Sequence, residues 1–311
     1  MYGAEIVTLN RIFMLFKKAH SLYNKLESIF EKDGKEVPFL IFFRIAVASI
    51  ALIEIGSLYS DLPSFFSSSR TLIPQELLYL EAGDFRYLHA FYGFLKSNEL
   101  LGVFYTISVP TYIIALLCIL FGFFTRFAAG IAVILQLLIF KSFGPFNYGY
   151  DFFLTMSLFY CMVFPTGRFY AIDAKIFKKS QTVALNYRRV IQIHLAIAYL
   201  FSGISKGLDV GWWNGNSVWK AIASVDNSYY AVYPIILTVV GIGTVLLEFS
   251  YPFLVYYKKT RKYVITGVIL MHASIAIMME LYAFSAMMIV WNVAAYGNIT
   301  MINKTTNVET A

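Results

Sequence analysis

Charge is scarce in this 311-residue chain: Asp, Glu, Lys and Arg make up 14% of it, against about a quarter in an ordinary soluble domain. A surface so poor in charge could not be kept wet, which excludes a disordered chain and an ordinary soluble enzyme. Cysteine is nearly missing. Cys118 and Cys161 both fall inside apolar runs, so there is neither a disulfide framework nor a thiolate metal cage. Histidine is also rare, with His20, His89, His194 and His272 on separate stretches, and no metal site is expected. The phosphate-binding glycine loop, His-Glu-x-x-His and Gly-x-Ser-x-Gly are all absent.

Apolar surface is abundant: 59% of residues are hydrophobic, 18% aromatic, and the mean hydropathy is +0.66. A spanning helix needs about 20 apolar residues. The runs are Pro38–Leu58, Leu100–Phe124, Phe127–Phe140, Tyr150–Pro165, Val190–Ser205, Tyr233–Tyr257 and Tyr263–Tyr296. The last exceeds one span and is expected to break around Glu280-Leu281-Tyr282. The predicted fold is all-α, a polytopic transmembrane bundle of about eight helices, with seven as the alternative. Residues 38–298 form the transmembrane domain and 299–311 a short polar tail.

The net charge of +7 is explained by topology. With the N-terminus inside, eighteen basic residues lie in cytoplasmic segments, including Arg126, Arg168, Arg188 and Lys258–Lys262, and six lie outside, among them Lys96, Lys206 and Lys220. That bias is the positive-inside pattern, so lipid is the expected partner and nucleic acid is not. Residues 1–37 show no signal-peptide apolar core. Their apolar residues recur at three- and four-residue steps from Ile6 to Phe30, which predicts an amphipathic helix either on the inner leaflet or on the protein's own cytoplasmic face. Two long outer connections, 59–99 and 206–231, are rich in aromatics, among them Trp212, Trp213 and Trp219. These make an interfacial belt or roof an outward cavity.

Ionisable residues within membrane spans are costly and need internal partners. By depth, Arg44 and Glu248 both fall toward the cytoplasmic side, which predicts a structural ion pair. Glu54, Asp151, Lys206 and Glu280 fall toward the outer side. Gln192, Tyr199 and Lys206 are seven residues apart and share one helix face, with Ser202 and Gly203 beside it. Lys206 is then either a snorkelling lysine at a helix end or a desolvated base.

Gln192, Tyr199, Ser202-Gly203-Ile204-Ser205-Lys206 and Trp212-Trp213-Asn214-Gly215 resemble the Y-x-x-x-G-x-x-K and following W-x-x-G of the HTTM family, the horizontally transferred transmembrane domain. Glu248, Pro252, Arg261, His272 and Phe284 resemble that family's later landmarks, as do Arg44 and Tyr150-Asp151. The resemblance runs from about residue 38 to 298. It implies a membrane core like that of vitamin K-dependent gamma-carboxylase, with Lys206 as the base toward a quinol, a reduced quinone as cofactor, and a small exported peptide as partner. Tyr199 or Tyr150 would orient the lysine and Asp151 or Glu280 tune its charge. Gln192, Trp212, Trp213, Glu280 and His272 are the implied substrate contacts.

Where the carboxylase has Asn-Asn-His before its fourth helix, this chain has Asn147-Tyr148-Gly149-Tyr150-Asp151, without the histidine. The large lumenal domain has no counterpart in residues 299–311, so protein carboxylation of the animal kind is not expected. Compact bacterial members have this form, which implies an inner-membrane location. Two other classes stay open: a non-catalytic membrane maturation partner, and a quinone-binding redox subunit like the DoxX-related proteins.

Overall fold

A computed structural model describes residue 17 and residues 36–67, 86–140, 147–177, 183, 185–225 and 233–297. The expected amphipathic segment 1–37 lies outside these residues, apart from Lys17 and the start of the first helix, as does the tail 299–311. Among the described residues every regular element is helical.

Among the described residues five helices are long and apolar enough to cross a membrane: α1 (Glu36–Ser57), α4 (Leu101–Phe121), α8 (Tyr187–Leu208), α11 (Pro234–Leu254) and α12 (Lys258–Met279). Three apolar helices are shorter. They are α5 (Thr125–Leu135), prolonged by a π-helical turn over Gln136–Phe140, α6 (Gly149–Val163) and α13 (Tyr282–Tyr296). Between them lie α2 (Leu62–Phe65), α3 (Arg86–Ser97), α7 (Ile172–Phe177), α9 (Val210–Trp213) and α10 (Asn216–Ala223). The over-long run Tyr263–Tyr296 is indeed two helices, parted where Glu280 takes a left-handed φ of 57°. Pro234 opens α11, where a missing N–H costs nothing. Gly122 ends α4 at φ 72°, and any Cβ there would run into Ala171 and Arg44.

Helices α1 and α13 run through the middle of the bundle, with α4 and α6 against α1, and α6, α8 and α12 against α13, while α5 packs on α4 and α6, and α11 on α8 and α12. Phe43, Leu116, Leu158, Ile191 and Trp291 are essentially fully buried. Ile53, Phe127, Ile235 and Leu270 are more than half exposed, a costly arrangement in water and the natural one in lipid.

One end of the bundle is held by arginines. The last four carbonyls of a helix have no intrahelical donor and carry the negative end of its dipole. Arg44 donates to Ile119 O and Leu120 O at the end of α4, both at 3.1 Å, and to Tyr170 O at 2.7 Å. Arg126 donates to Val163 O ending α6. Arg261 donates to Val255 O and Tyr256 O beyond α11, and Arg188 to Ala294 O, Ala295 O and Gly297 O at the end of α13. Each of the four apolar helices that finish at this end thus meets a guanidinium. The expected Arg44–Glu248 ion pair is therefore corrected: Arg44 is engaged by α4, and Glu248 sits on α11, which packs along α8.

Candidate functional site

Two polar clusters lie within the bundle. The first begins with the close approach of α8 and α11. Gly203 faces the backbone of Glu248 and Phe249 so tightly that a Cβ would clash with it, and such small residues let membrane helices come together. One turn further along α8, Lys206 reaches across. Its Nζ lies 2.6 Å from both carboxylate oxygens of Glu248 and 3.0 Å from Ser202 Oγ, with the Trp212 ring centroid at 5.0 Å. The side chain of Glu248 is 5% exposed and that of Lys206 23%.

This geometry changes the depth expected for Lys206. Beyond Leu208 the chain runs on along the first half of α11 toward Pro234, so that Trp212 abuts Gly241 and Gly215 abuts Leu237 and Thr238. Glu248 stands about 21 Å along α11 from Pro234 at about 1.5 Å per residue. The pair is thus well inside the span of α11. Lys206 is not a terminal lysine snorkelling to the surface, and its acidic partner is Glu248 rather than an outer carboxylate. The covering segment is fastened by Asp209, which accepts from Gly211 N at 2.9 Å and from Ser217 Oγ at 2.8 Å.

Next to the pair is a buried chain of hydrogen bonds. Tyr251 Oη donates to Asn292 Oδ1, and Asn292 Nδ2 donates to Tyr199 Oη, each at 2.9 Å. Tyr199 Oη lies 2.9 Å from His272 Nε2. Because Tyr199 already accepts from Asn292, its own hydrogen is assigned to Nε2, which leaves the ring proton on Nδ1. His272 is 2% exposed and its Nδ1 has no hydrogen-bond partner. Lys206 acts electrostatically on His272, and Glu248 on Tyr199.

The second cluster surrounds a cavity of about 260 Å³ between the Ser57 end of α1, α2, α4, the π-helical turn and the start of α6. Its described lining carries Glu54, Asp61 and Asp151, and no Lys or Arg. Asp151 accepts from Tyr148 N at 3.0 Å, closing a capping box at the start of α6. Tyr112 donates to Gln136 Oε1 at 2.6 Å. Tyr150 is 3% exposed and its hydroxyl is unpartnered. Phe284 lies between the clusters, its ring centroid 6.4 Å from that of Tyr148 and 5.5 Å from that of His272. Gly149 makes room for this ring, which would meet any Cβ placed there.

The residues singled out from the sequence thus divide. Lys206 and Glu248 are joined, with Tyr199 and His272 beside them. Tyr150 and Asp151 belong to the cavity. Gln192 ties α8 to α13 at the arginine end, accepting from Arg189 Nη1 and donating to Ala295 O, both at 2.7 Å. Trp212 covers Lys206, whereas Trp213 is 42% exposed and bonded to Gly207 O. Glu280 is exposed at the helix break. Sequence reasoning passed over Tyr251 and Asn292, although an asparagine inside an apolar helix is itself a signal of an internal partner. Among the described residues no group of His, Cys, Asp and Glu could hold a metal ion.

A family model described as the HTTM domain matches residues 34–296. No curated protein matches the chain, and no solved structure does.

Proposed function

The chain is an integral membrane protein of the HTTM family, and from that premise we propose that it is a membrane-embedded acid–base enzyme acting on a quinol or another lipid-soluble hydroxyl compound. The observation that carries this reading is the Lys206–Glu248 pair, 2.6 Å apart and withdrawn from the surface. At rest the proton is on Lys206 and the negative charge on Glu248. A substrate hydroxyl brought to the pair gives its proton to the Glu248 carboxylate, and the resulting oxyanion is held by the Lys206 ammonium. Equivalently, Lys206 passes its proton to Glu248 and the free amine takes the substrate proton. In either order the substrate O–H bond breaks and its proton is taken up by the pair, which ends as the Lys206 ammonium and the neutral Glu248 acid beside the substrate oxyanion, with charge conserved. The ammonium is worth more here than in water because little solvent screens it.

Tyr199 and His272 support the reading as a proton-conducting flank to the pair. Trp212, over the ammonium, screens it from the outer side. The family resemblance adds a small exported peptide as the molecule finally modified. The arginine-rich end is the cytoplasmic one in this reading, with the chain in a bacterial inner membrane.

The test uses the full chain in lipid nanodiscs with a reduced naphthoquinone, following its oxygen-dependent oxidation. A positioned acid–base group contributes about 10²–10⁴-fold, so Lys206→Met and Glu248→Gln should each lose at least about 100-fold in rate. Full rates in both variants would overturn the proposal. Trp213 and Trp219, 42% and 49% exposed, favour a second reading as a non-catalytic maturation partner. Crosslinks from these positions that capture a protein, with unchanged behaviour in Lys206→Met, would select it. A quinone that co-purifies and is unaffected by Lys206→Met would instead select a redox subunit.

A further inference from the structure

We infer that the cavity between α1, α2, α4 and α6 binds a small neutral alcohol, a hydroxyl group on an apolar body, at a site separate from the Lys206–Glu248 pair. Two groups of its described lining make no hydrogen bond and stand within electrostatic range of each other. They are the Glu54 carboxyl, in the last turn of α1, and the Tyr150 hydroxyl, in the first turn of α6. Tyr150 is 3% exposed, and a buried hydroxyl without a partner is rare enough to require a reason. Neighbouring polar groups are engaged elsewhere. Tyr112 and Gln136 are bonded to each other, and Asp151 accepts from Tyr148 N.

Which ligand group fits between them follows from what each can donate and accept. A carboxylate only accepts, whereas a tyrosine hydroxyl both donates and accepts. A ligand hydroxyl donates to Glu54 and accepts from Tyr150, so a single group completes both. A protonated Glu54 is served equally, since the same hydroxyl then accepts from it, and the match does not depend on the charge of the cavity. An ammonium donates to both and leaves the Tyr150 hydrogen without an acceptor. A carbonyl accepts from Tyr150 and gives a carboxylate nothing. The remaining walls call for an apolar body: Ala51, Ile55, Leu62, Phe66 and Leu154 line a space of about 260 Å³, far more than the roughly 30 Å³ of one water molecule. Because the cavity lies where α1 ends and α6 begins, an alcohol dissolved in the bilayer reaches it with its hydroxyl at the helix ends and its body in the hydrocarbon.

The experiment is photolabelling of the full chain in nanodiscs with a trifluoromethyl-diazirinyl benzyl alcohol, and with the matching toluene, which lacks only the hydroxyl. Labelled positions are read by peptide mass spectrometry. The alcohol should label lining residues of α1, α2 and α6 saturably and about tenfold more than the toluene does, as one or two hydrogen bonds allow. At Phe127 and Leu270, which are more than half exposed, the two probes should label alike. Tyr150→Phe and Glu54→Leu should each lower cavity labelling about fivefold, with unchanged melting temperature and unchanged labelling at Phe127. Lys206→Met, which removes the acid–base pair, should leave cavity labelling intact, so the two proposals fail separately. Discs with and without diacylglycerol identify the source. Competition by that lipid marks a lipid hydroxyl, and its absence a free alcohol. Equal cavity labelling by the toluene, stronger labelling by the matching amine, or unaltered labelling in both variants would overturn the inference.

Discussion

Glu248 and Glu54 carry the same carboxylate on two apolar helices, and the bundle treats them in opposite ways. Glu248 is gripped: Lys206 meets both its oxygens at 2.6 Å, and the adjoining hydroxyls, amide and imidazole are linked to one another from Tyr251 to His272. Glu54 faces a cavity with no basic partner among the described lining residues. A cluster closed upon itself contributes stability and a defined protonation pattern. An open one contributes neither until something enters. The contrast teaches that intramembrane charge here is placed in three ways: arginines cap helix ends, a lysine–glutamate pair is enclosed, and acidic side chains line a cavity whose described lining has no basic residue.

The most severe way to break that comparison is to remove Glu248. Truncating one partner of a buried pair costs about 3–5 kcal/mol, so Glu248→Leu should lower the thermal unfolding temperature markedly. Lys206→Met should cost less, because a lone carboxyl neutralises itself by taking a proton. The double variant should recover most of the loss. If the three variants melt together with the parent, the pair is not the closed unit described.

A smaller effect is expected one step away. Asn292→Leu leaves the hydroxyls of Tyr251 and Tyr199 without their amide, at about 1–3 kcal/mol for a buried group deprived of its partner. Thermal unfolding should show the decrease. At the other extreme Glu54→Gln, in the open cluster, should alter stability by no more than about 0.5 kcal/mol. A large destabilisation there would mean that Glu54 is as firmly partnered as Glu248.

Much of the architecture was readable along the chain. Apolar run length marked the long helices, and the break at Glu280 followed from a run too long for one crossing. The approach of α8 to α11 was foreshadowed by Gly203 in the Ser202–Lys206 stretch. The ion pair was misassigned for a definite reason. Depth taken from helix ends places each connection outside the membrane, whereas α8 ends beside the middle of α11 and the chain runs on along α11 toward Pro234. That displacement brought Lys206 level with Glu248 and freed Arg44 for the end of α4. Tyr251 and Asn292 are less legible, because neutral polar groups in an apolar helix carry no charge that demands a partner.

Composition and periodicity alone determined that this chain lives in a bilayer as a helical bundle with its basic residues gathered at one end, because the hydrophobic effect and helix geometry act locally on runs of residues. Which charge meets which carboxylate was decided only by the tertiary structure. Pairing depends on the relative shift of helices far apart in sequence, and a connection that runs on along α11 after Leu208 sets Lys206 level with Glu248 instead of with the start of that helix.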